Sequence, residues 1–211
     1  DIDPIPILQA RATLTEIPLK ALEREFSTLY DTLYSELAHY YRAICPACDR
    51  SFELRFMLYG IRRKCQCQEA ILIDSYVLRH NNDGSVVRIC PETYNILQND
   101  DIVSENTFTK RLPLVEKDQD VCVCGEKLSD DISIPYYQRY IPIAVAGECV
   151  EHGLFFAAPQ QPDLDLIDYA NNKRESLEFT AADFEISPGP KSVDLLRRGV
   201  RSYLDLFSSR Q

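Results

Sequence analysis

Residues 45–67 read CPACDRSFELRFMLYGIRRKCQC, with a pair of cysteines at each end. The spacing is C-x2-C-x16-C-x-C. A structural zinc ion takes four Cys or His ligands at tetrahedral corners, and a C-x2-C turn supplies two of them from one tight bend. The intervening residues suffice for a β-hairpin that returns the second pair to the first. The spacing therefore predicts a zinc site formed by Cys45, Cys48, Cys65 and Cys67.

A second set of ligands follows further along the chain, with the spacing C-x-C-x24-C-x2-H. Gly125 comes directly after the first pair and lets the backbone turn so that amides face sulfur. The histidine is one of only three in the chain and lies just after a cysteine. We predict a second zinc site formed by Cys122, Cys124, Cys149 and His152. Four protein ligands leave no open position, so both zinc ions are expected to be structural.

Disulfides and buried thiols are the competing interpretations of the cysteines. Disulfides need an oxidising compartment. The chain opens Asp1-Ile2-Asp3-Pro4 without a signal peptide, and no apolar run approaches the roughly 20 residues of a membrane span, so we expect a cytoplasmic protein. Buried thiols do not usually occur in close pairs. Cys90 is left over, either as a buried thiol or as a replacement ligand in the second site, and His39 and His80 are expected to be structural.

The remaining patterns predict an α+β protein, with small zinc-ribbon β-hairpins between a long N-terminal helix and short C-terminal helices. Apolar residues at steps of three and four between Pro18 and about Arg42 share one helical face, which we expect to lie in a core. They are Leu22, Phe26, Leu29, Leu33, Leu37 and Tyr40. Further helices are predicted over 4–14, from Pro162 to about Lys173, and from Val193 to Arg198.

Alternating apolar residues predict short strands over 52–56, 70–74, 85–89 and 140–146. Asn81-Asn82-Asp83-Gly84 predicts a tight turn before the third of these. The polar stretch 98–120 carries little pattern and is expected to be a loop.

The net charge of −10 means that the whole chain is repelled by nucleic acid. Two local basic segments contrast with this net negative charge. One is Arg62-Arg63-Lys64, and the other is Arg197-Arg198 with Arg201. Each is either a phosphate contact or an ordinary solvated surface.

Several segments resemble one family of enzymes. The segments are Asp1-Ile2-Asp3-Pro4-Ile5-Pro6, the helix end His39-Tyr40-Tyr41-Arg42 before C-P-x-C, Cys149 to Phe156, Gly189 to Gly199 and Tyr203 to Gln211. Together they are similar to large prokaryotic S-adenosylmethionine-dependent DNA adenine methylases that carry a zinc-ribbon insert. The resemblance implies a helical edge of a Rossmann-like methyltransferase domain, a double zinc-ribbon insert and a helical return segment, at residues 1–43, 44–156 and 157–211.

The resemblance also implies that Asp1 hydrogen-bonds the ribose of S-adenosylmethionine in the intact parent enzyme. Asp3 departs from the Asn that is usual in this family. No G-x-G-x-x-G and no D-P-P-Y motif is present, and the chain has only seven glycines. Ser208-Ser209-Arg210-Gln211 fits a capping box that opens a helix, which favours a fragment of a longer chain. We expect the chain alone to be inactive.

Three functions are consistent with the sequence. The chain is a zinc-binding insert that positions or recognises DNA, with Arg62, Arg63 and Lys64 as candidate contacts. Alternatively, the zinc ribbons bind a protein partner, which the acidic charge favours, or they stiffen a purely structural spacer. No membrane partner is expected.

Overall fold

The computed structural model describes residues 4–107, 112–122, 124–176, 184–207 and 209, with side chains from Ile7 onward. Asp1 and three of the four residues of the predicted C-terminal capping box lie outside these ranges. The chain divides into two compact units, Asp1–Tyr41 and Arg42–Gln211. Within the described parts of the chain, no helix combines the length and apolar character that a membrane crossing requires.

The first unit is helical, as the sequence predicts. Helix α1 spans Pro4–Leu14, and helix α2 spans Leu19–Leu37 before a 3-10 turn over Ala38–Tyr40. Pro18 precedes α2 because a proline lacks only a backbone N–H that the first helical turn does not use. The expected burial of the apolar stripe was wrong: none of the described residues of α2 is buried. Apolar periodicity identifies a face that favours a partner, but it does not place that partner within the chain.

The second unit contains two sheets. Its described strands, in chain order, are β1 Arg42–Ile44, β2 Ser51–Lys64, β3 Glu69–Ile73, β4 Val77–His80, β5 Val86–Ile89, β6 Ile96–Gln98, β7 Asp101–Ser104, β8 Leu114–Glu116, β9 Ser129–Asp130, β10 Tyr140–Cys149 and β11 Gly153–Ala157. The larger described sheet has the order β11-β10-β2-β3-β8, and both β1 and β9 also pair with β2. The smaller is the antiparallel meander β4-β5-β6-β7.

The mixed α and β composition is confirmed, but two expectations for the strands were wrong. The segment after Cys48 was expected to fold into a hairpin, yet β2 runs without a turn for 14 residues. The stretch 98–120 was expected to be a loop, yet it contains β7 and β8. These strands have four and three residues, too few to show a period of two in the sequence.

The principal core lies where β3, β5, β6, β10 and β11 pack together. Its fully buried members include Ile89 and Ile96 from the small sheet, and Ala144 and Ala146 from β10. Gly60 on β2 faces this core where β3 passes closely, so a side chain has no room there.

We expect Gly60→Ala to destabilise the second unit by about 1–3 kcal/mol, because overpacking forces neighbouring side chains and backbone to move. A Cβ at Gly60 would overlap the Cγ2 methyl of Ile71 and lie 2.9 Å from Cγ2 of Ile73. Urea unfolding followed by circular dichroism measures the loss. Gly189→Ala is the control, because its Cβ would lie 3.8 Å from its nearest neighbour, Ser192 Oγ. Equal midpoints for both variants would contradict the prediction.

The C-terminal residues contribute two helices near the predicted positions, of 16 and five residues. Helix α3 spans Gln161–Ser176, and helix α4 spans Val193–Arg197. Gly199 ends the turn after α4 with a φ of 78°, a conformation that a glycine adopts without strain. A 3-10 turn over Tyr203–Leu206 follows, and Ser202 caps it in a capping box with Asp205.

Candidate metal centres

The Cys45 cluster, defined as Cys45, Cys48, Cys149 and His152, lies at the tips of two adjacent hairpins. The β1–β2 hairpin carries the first two ligands, because Ile44 pairs with Ser51 across its turn. The β10–β11 hairpin carries the other two, and its last pair is Cys149 with Gly153. Strands β2 and β10 also pair with each other up to Leu54 and Gly147. The two tips therefore meet at one end of the sheet.

The four ligand atoms of the Cys45 cluster all lie within 4.8 Å of one another. Cys48 Sγ is 3.9 Å from Cys149 Sγ, and His152 Nδ1 is 3.7 Å from Cys45 Sγ and 3.3 Å from Cys149 Sγ. A tetrahedral zinc ion with standard bond lengths separates two sulfurs by about 3.8 Å and sulfur from nitrogen by about 3.6 Å. These distances fit one ion bound between the four side chains.

The backbone of each tip turns so that its ligands converge. Cys45 N–H donates to the Arg50 carbonyl at 2.9 Å, and Asp49 N–H donates back to the Cys45 carbonyl at 2.9 Å. Asp49 takes a φ of 54° in this turn, and Gly153 takes 70° after His152. An aspartate tolerates the left-handed region better than most residues, and a glycine enters it freely.

The Cys65 cluster, defined as Cys65, Cys67, Cys122 and Cys124, lies at the other end of β2. The first two cysteines occupy the turn between β2 and β3, and the second two lie between β8 and β9. Strand β9 pairs with the end of β2, with Ser129 opposite Lys64, and this pairing brings the second turn beside the first.

The sulfurs of the Cys65 cluster also lie within 4.8 Å of one another. Cys67 Sγ is 3.2 Å from the sulfurs of both Cys65 and Cys122, and the Cys124 and Cys65 sulfurs are 3.8 Å apart. These separations exceed the S–S bond of about 2.05 Å. All eight cysteines, each within the described ranges, are unbonded. Gly125, with a φ of 84°, turns the chain after Cys124.

The structure contains the eight predicted ligands in two groups of four, but it pairs them differently. The predicted partners Cys48 and Cys65 flank β2 at opposite ends, and a 14-residue strand is roughly 40 Å long. They cannot share one ion. Each predicted site therefore exchanges a pair of ligands with the other: the Cys45 pair meets Cys149 and His152, and the Cys65 pair meets Cys122 and Cys124.

Hydrogen bonds lower the pKa of two ligands and favour their thiolate form, which binds metals, whereas the neighbouring thiols raise the pKa of Cys67. The Arg50 side chain hydrogen-bonds Cys48 and lowers the pKa of its thiol to about 6. The backbone N–H of Cys124 is the main cause that lowers the pKa of Cys122 to about 6. Burial raises the pKa of Cys45. Arg50 also pairs with Glu151 at 2.5 Å and so connects the two hairpin tips, a contact that the sequence pattern did not reveal.

Cys90 belongs to neither cluster, so it does not replace a ligand in the second site. Its backbone nevertheless forms the same turn as Cys45. Cys90 N–H donates to the Asn95 carbonyl at 2.9 Å, and Tyr94, with a φ of 63°, donates back to the Cys90 carbonyl at 2.8 Å. Thr93 occupies the position where Cys48 lies in the first turn. His39 and His80 also lie outside both clusters.

The predicted DNA-contacting residues all face carboxylates. Arg62 pairs with Glu69 at 3.1 Å. Arg63 pairs with Asp130 at 2.5 Å, and Lys64 pairs with Asp131 at 2.5 Å. The Lys64 ammonium, helped by Ser133, lowers the pKa of Asp131 to about 2. The pairs of Arg63 and Lys64 fix the end of β2 beside β9, and the pair of Arg62 joins it to β3.

The fold and the clusters define a mixed α and β protein with two closed groups of four side chains, each of which could hold a metal ion. Comparison with known proteins adds no family to this description. No family model, curated protein or solved structure matches the chain.

Proposed function

We propose that the chain is a zinc-binding module whose two metal ions are structural. The observation that carries the proposal is the convergence of four ligand atoms in each of two clusters, from segments up to 107 residues apart. Three thiolates with an imidazole, and four thiolates, are the ligand sets that zinc prefers in structural sites. Both sets are complete without water, so neither ion has an open position for catalysis.

Metal analysis of the purified chain tests this proposal directly. We expect about two zinc ions per chain after expression in zinc-supplemented medium. Cobalt substitution adds a check on geometry, because tetrahedral thiolate coordination gives strong visible absorption. A chain that folds without bound metal would contradict the proposal, and a chain loaded with iron would contradict the choice of zinc.

We further propose that the module is an insert of an S-adenosylmethionine-dependent DNA methyltransferase and helps to position DNA. The sequence segments that resemble such methylases support this role. Arg62 and Lys64 pair with carboxylates, but their side chains stay 30% and 41% exposed, so a DNA phosphate can reach them. Asp1 would contact the cofactor ribose in the parent enzyme, and the chain alone would not methylate DNA.

Neutralising the cations at the end of β2 tests the DNA role. We expect the zinc-loaded chain to bind duplex DNA weakly at low salt. Arg62→Gln should reduce the salt dependence of binding by about one unit of slope, because one phosphate contact is lost. A gel-shift series at several salt concentrations measures this. Arg55→Gln is the matched control, because Arg55 also lies on β2 and pairs with Glu148 at 2.5 Å. Equal slopes for both variants would remove Arg62 from the DNA-contact role.

The exposed apolar face of α2 favours an alternative function, in which the chain is a protein-binding module. The apolar face of α2 is exposed, including Phe26, Leu29 and Leu33. Exposed apolar faces of this kind mark interaction sites. Co-purification of a stable partner that is lost in Phe26→Ser, with DNA binding unchanged, would favour this function over the first.

A further inference from the structure

Three guanidinium groups converge on one carboxylate at the end of β2. Asp130 Oδ1 lies 2.5 Å from Arg63 Nη1 and 3.4 Å from Arg139 Nη1, and its Oδ2 lies 3.4 Å from Arg198 Nε. We call these four residues the Asp130 cluster. It unites the two basic segments of the sequence, because Arg63 comes from the first and Arg198 from the second. Arg139 adds a third cation that neither segment contains.

The Asp130 cluster carries an excess of positive charge in an acidic chain. Three arginines against one aspartate give a formal charge of +2, and the neighbouring Lys64 and Asp131 neutralise each other. Among the described residues, the three arginines make no ion pair with a carboxylate other than Asp130.

This charge is largely removed from water. The Arg139 side chain is 0% exposed, and those of Arg63 and Asp130 are each 15% exposed. Unpaired charge in such surroundings is costly unless an opposite charge or hydrogen bonds compensate it. Arg198, at 40% exposed, is the member through which the cluster opens to solvent.

Two N–H donors of the Asp130 cluster have no hydrogen-bond acceptor among the described residues. Within the described part of the chain, Arg139 Nη2 and Arg63 Nε are buried without a hydrogen-bond partner. The other Arg139 nitrogens donate to the Ile134 carbonyl at 2.8 Å and the Arg198 carbonyl at 2.6 Å. Its Nη2 lies where Gly199 leaves space, 3.0 Å from the position that a Cβ there would occupy. Leaving charged donors buried without acceptors is costly, so the positive charge of the cluster is not fully compensated by its own neighbours.

Arg198 is held in position to meet an anion. Its Nη2 donates to the Tyr136 hydroxyl at 2.6 Å, and its guanidinium carbon lies 5.2 Å from the centre of the Tyr136 ring. Arg139 lies 5.1 Å from the same ring. A guanidinium fixed by an aromatic ring retains a planar fork that matches phosphate oxygens.

We propose that the Asp130 cluster binds a phosphate group, with Arg198 as the direct contact and Arg63 and Arg139 as the buried charges that attract it. A phosphate bound at Arg198 would supply the negative charge that the cluster lacks, while Arg63 and Arg139 would act on it through their charge rather than by direct contact. The phosphate is either a free anion or part of a DNA backbone, and only the second source rests on the proposed DNA function.

Inorganic phosphate tests the site without DNA. We expect phosphate to raise the melting temperature of the zinc-loaded chain above that in chloride at equal ionic strength, and calorimetry to give its dissociation constant. Arg198→Gln should weaken phosphate binding by about tenfold or more, the loss typical of one charged hydrogen-bonding group. Arg198→Lys should give an intermediate loss, because it retains the charge without the fork. Arg55→Gln should bind phosphate normally.

A duplex DNA-binding experiment distinguishes the two sources of phosphate. If the ligand is a DNA backbone, Arg198→Gln should lower the salt slope of duplex binding by about one, and phosphate should compete with DNA. If DNA binding is unchanged while phosphate binding is lost, the site takes a free anion. No phosphate-specific stabilisation of the wild-type chain, or full retention of phosphate binding in Arg198→Gln, would overturn the proposal. Metal content measured in the same samples tests the zinc sites separately, and circular dichroism confirms that each variant is folded.

Discussion

Replacing Cys45 and Cys149 together by serine should remove one metal ion per chain and leave the other in place. The structure groups these two residues in one cluster, although 103 residues of sequence separate them. Replacing Cys45 and Cys65 together should remove both ions, because these two residues belong to different clusters. Metal content of the purified variants, measured by mass spectrometry, gives the answer directly.

The pairing suggested by sequence spacing requires the opposite pattern. If Cys45 and Cys65 shared an ion, their double variant would retain one metal and the Cys45 and Cys149 variant would retain none. The two pairings therefore cannot both be consistent with the same pair of measurements. Cys90→Ser is the control, because Cys90 lies outside both clusters and its loss should leave two ions bound.

The expected effect is large because Cys45 and Cys149 lie in a buried core as well as in the candidate metal site. Cys45 and Cys149 are fully buried, so a serine would place a hydroxyl where a metal-bound thiolate belongs. Structural zinc contributes on the order of 10 kcal/mol to folding in small modules. A domain is typically stable by only about 5–15 kcal/mol, so loss of one ion removes much of the total.

Removing both ions with a chelator should unfold most of the second unit, Arg42–Gln211. The apolar cores that contain the ligands are small, with four other buried residues beside the Cys45 cluster and two beside the Cys65 cluster among those described, so the ions are expected to supply much of the stability there. The near-ultraviolet circular dichroism of the tyrosines should be lost at 25 °C, and re-addition of zinc should restore it. Retention of the signal after metal analysis has confirmed complete removal would contradict this expectation.

The two ions should leave at different rates. Cys67 and Cys124 of the second cluster are exposed, whereas Cys45 and Cys149 of the first are buried. A chelator therefore reaches the Cys65 cluster more easily. A zinc-sensitive dye should record two kinetic phases of equal size. Replacing both Cys65 and Cys122 by serine should abolish the faster phase.

Sequence spacing identified the eight candidate ligands but not their grouping. Cysteine pairs and a nearby histidine are local features, so spacing alone reveals them. Their grouping depends on which strands pair, and the decisive contact joins β2 to β10, with Leu54 opposite Gly147. No local pattern records that contact. The uninterrupted course of β2 was missed because its alternation of apolar and polar residues weakens after Phe56.

The helices show the same division between local and long-range information. Prolines and glycines at their ends are local, and α2, α3 and α4 begin within a residue or two of the predicted positions. The burial of the α2 face is not local, and that expectation was wrong. The Asp130 cluster was equally hidden, because it joins residues from four separate segments of the chain.

Strand β2 has one of the two candidate metal sites at each end, so its register is constrained at both ends. A strand that slipped by one residue would turn every side chain to the opposite face of the sheet. Here such a slip would also pull cysteines out of both clusters, more than ten residues apart. A shifted register of β2 in the large sheet is therefore disfavoured by the clusters at both of its ends, even where the apolar pattern of β2 is weak.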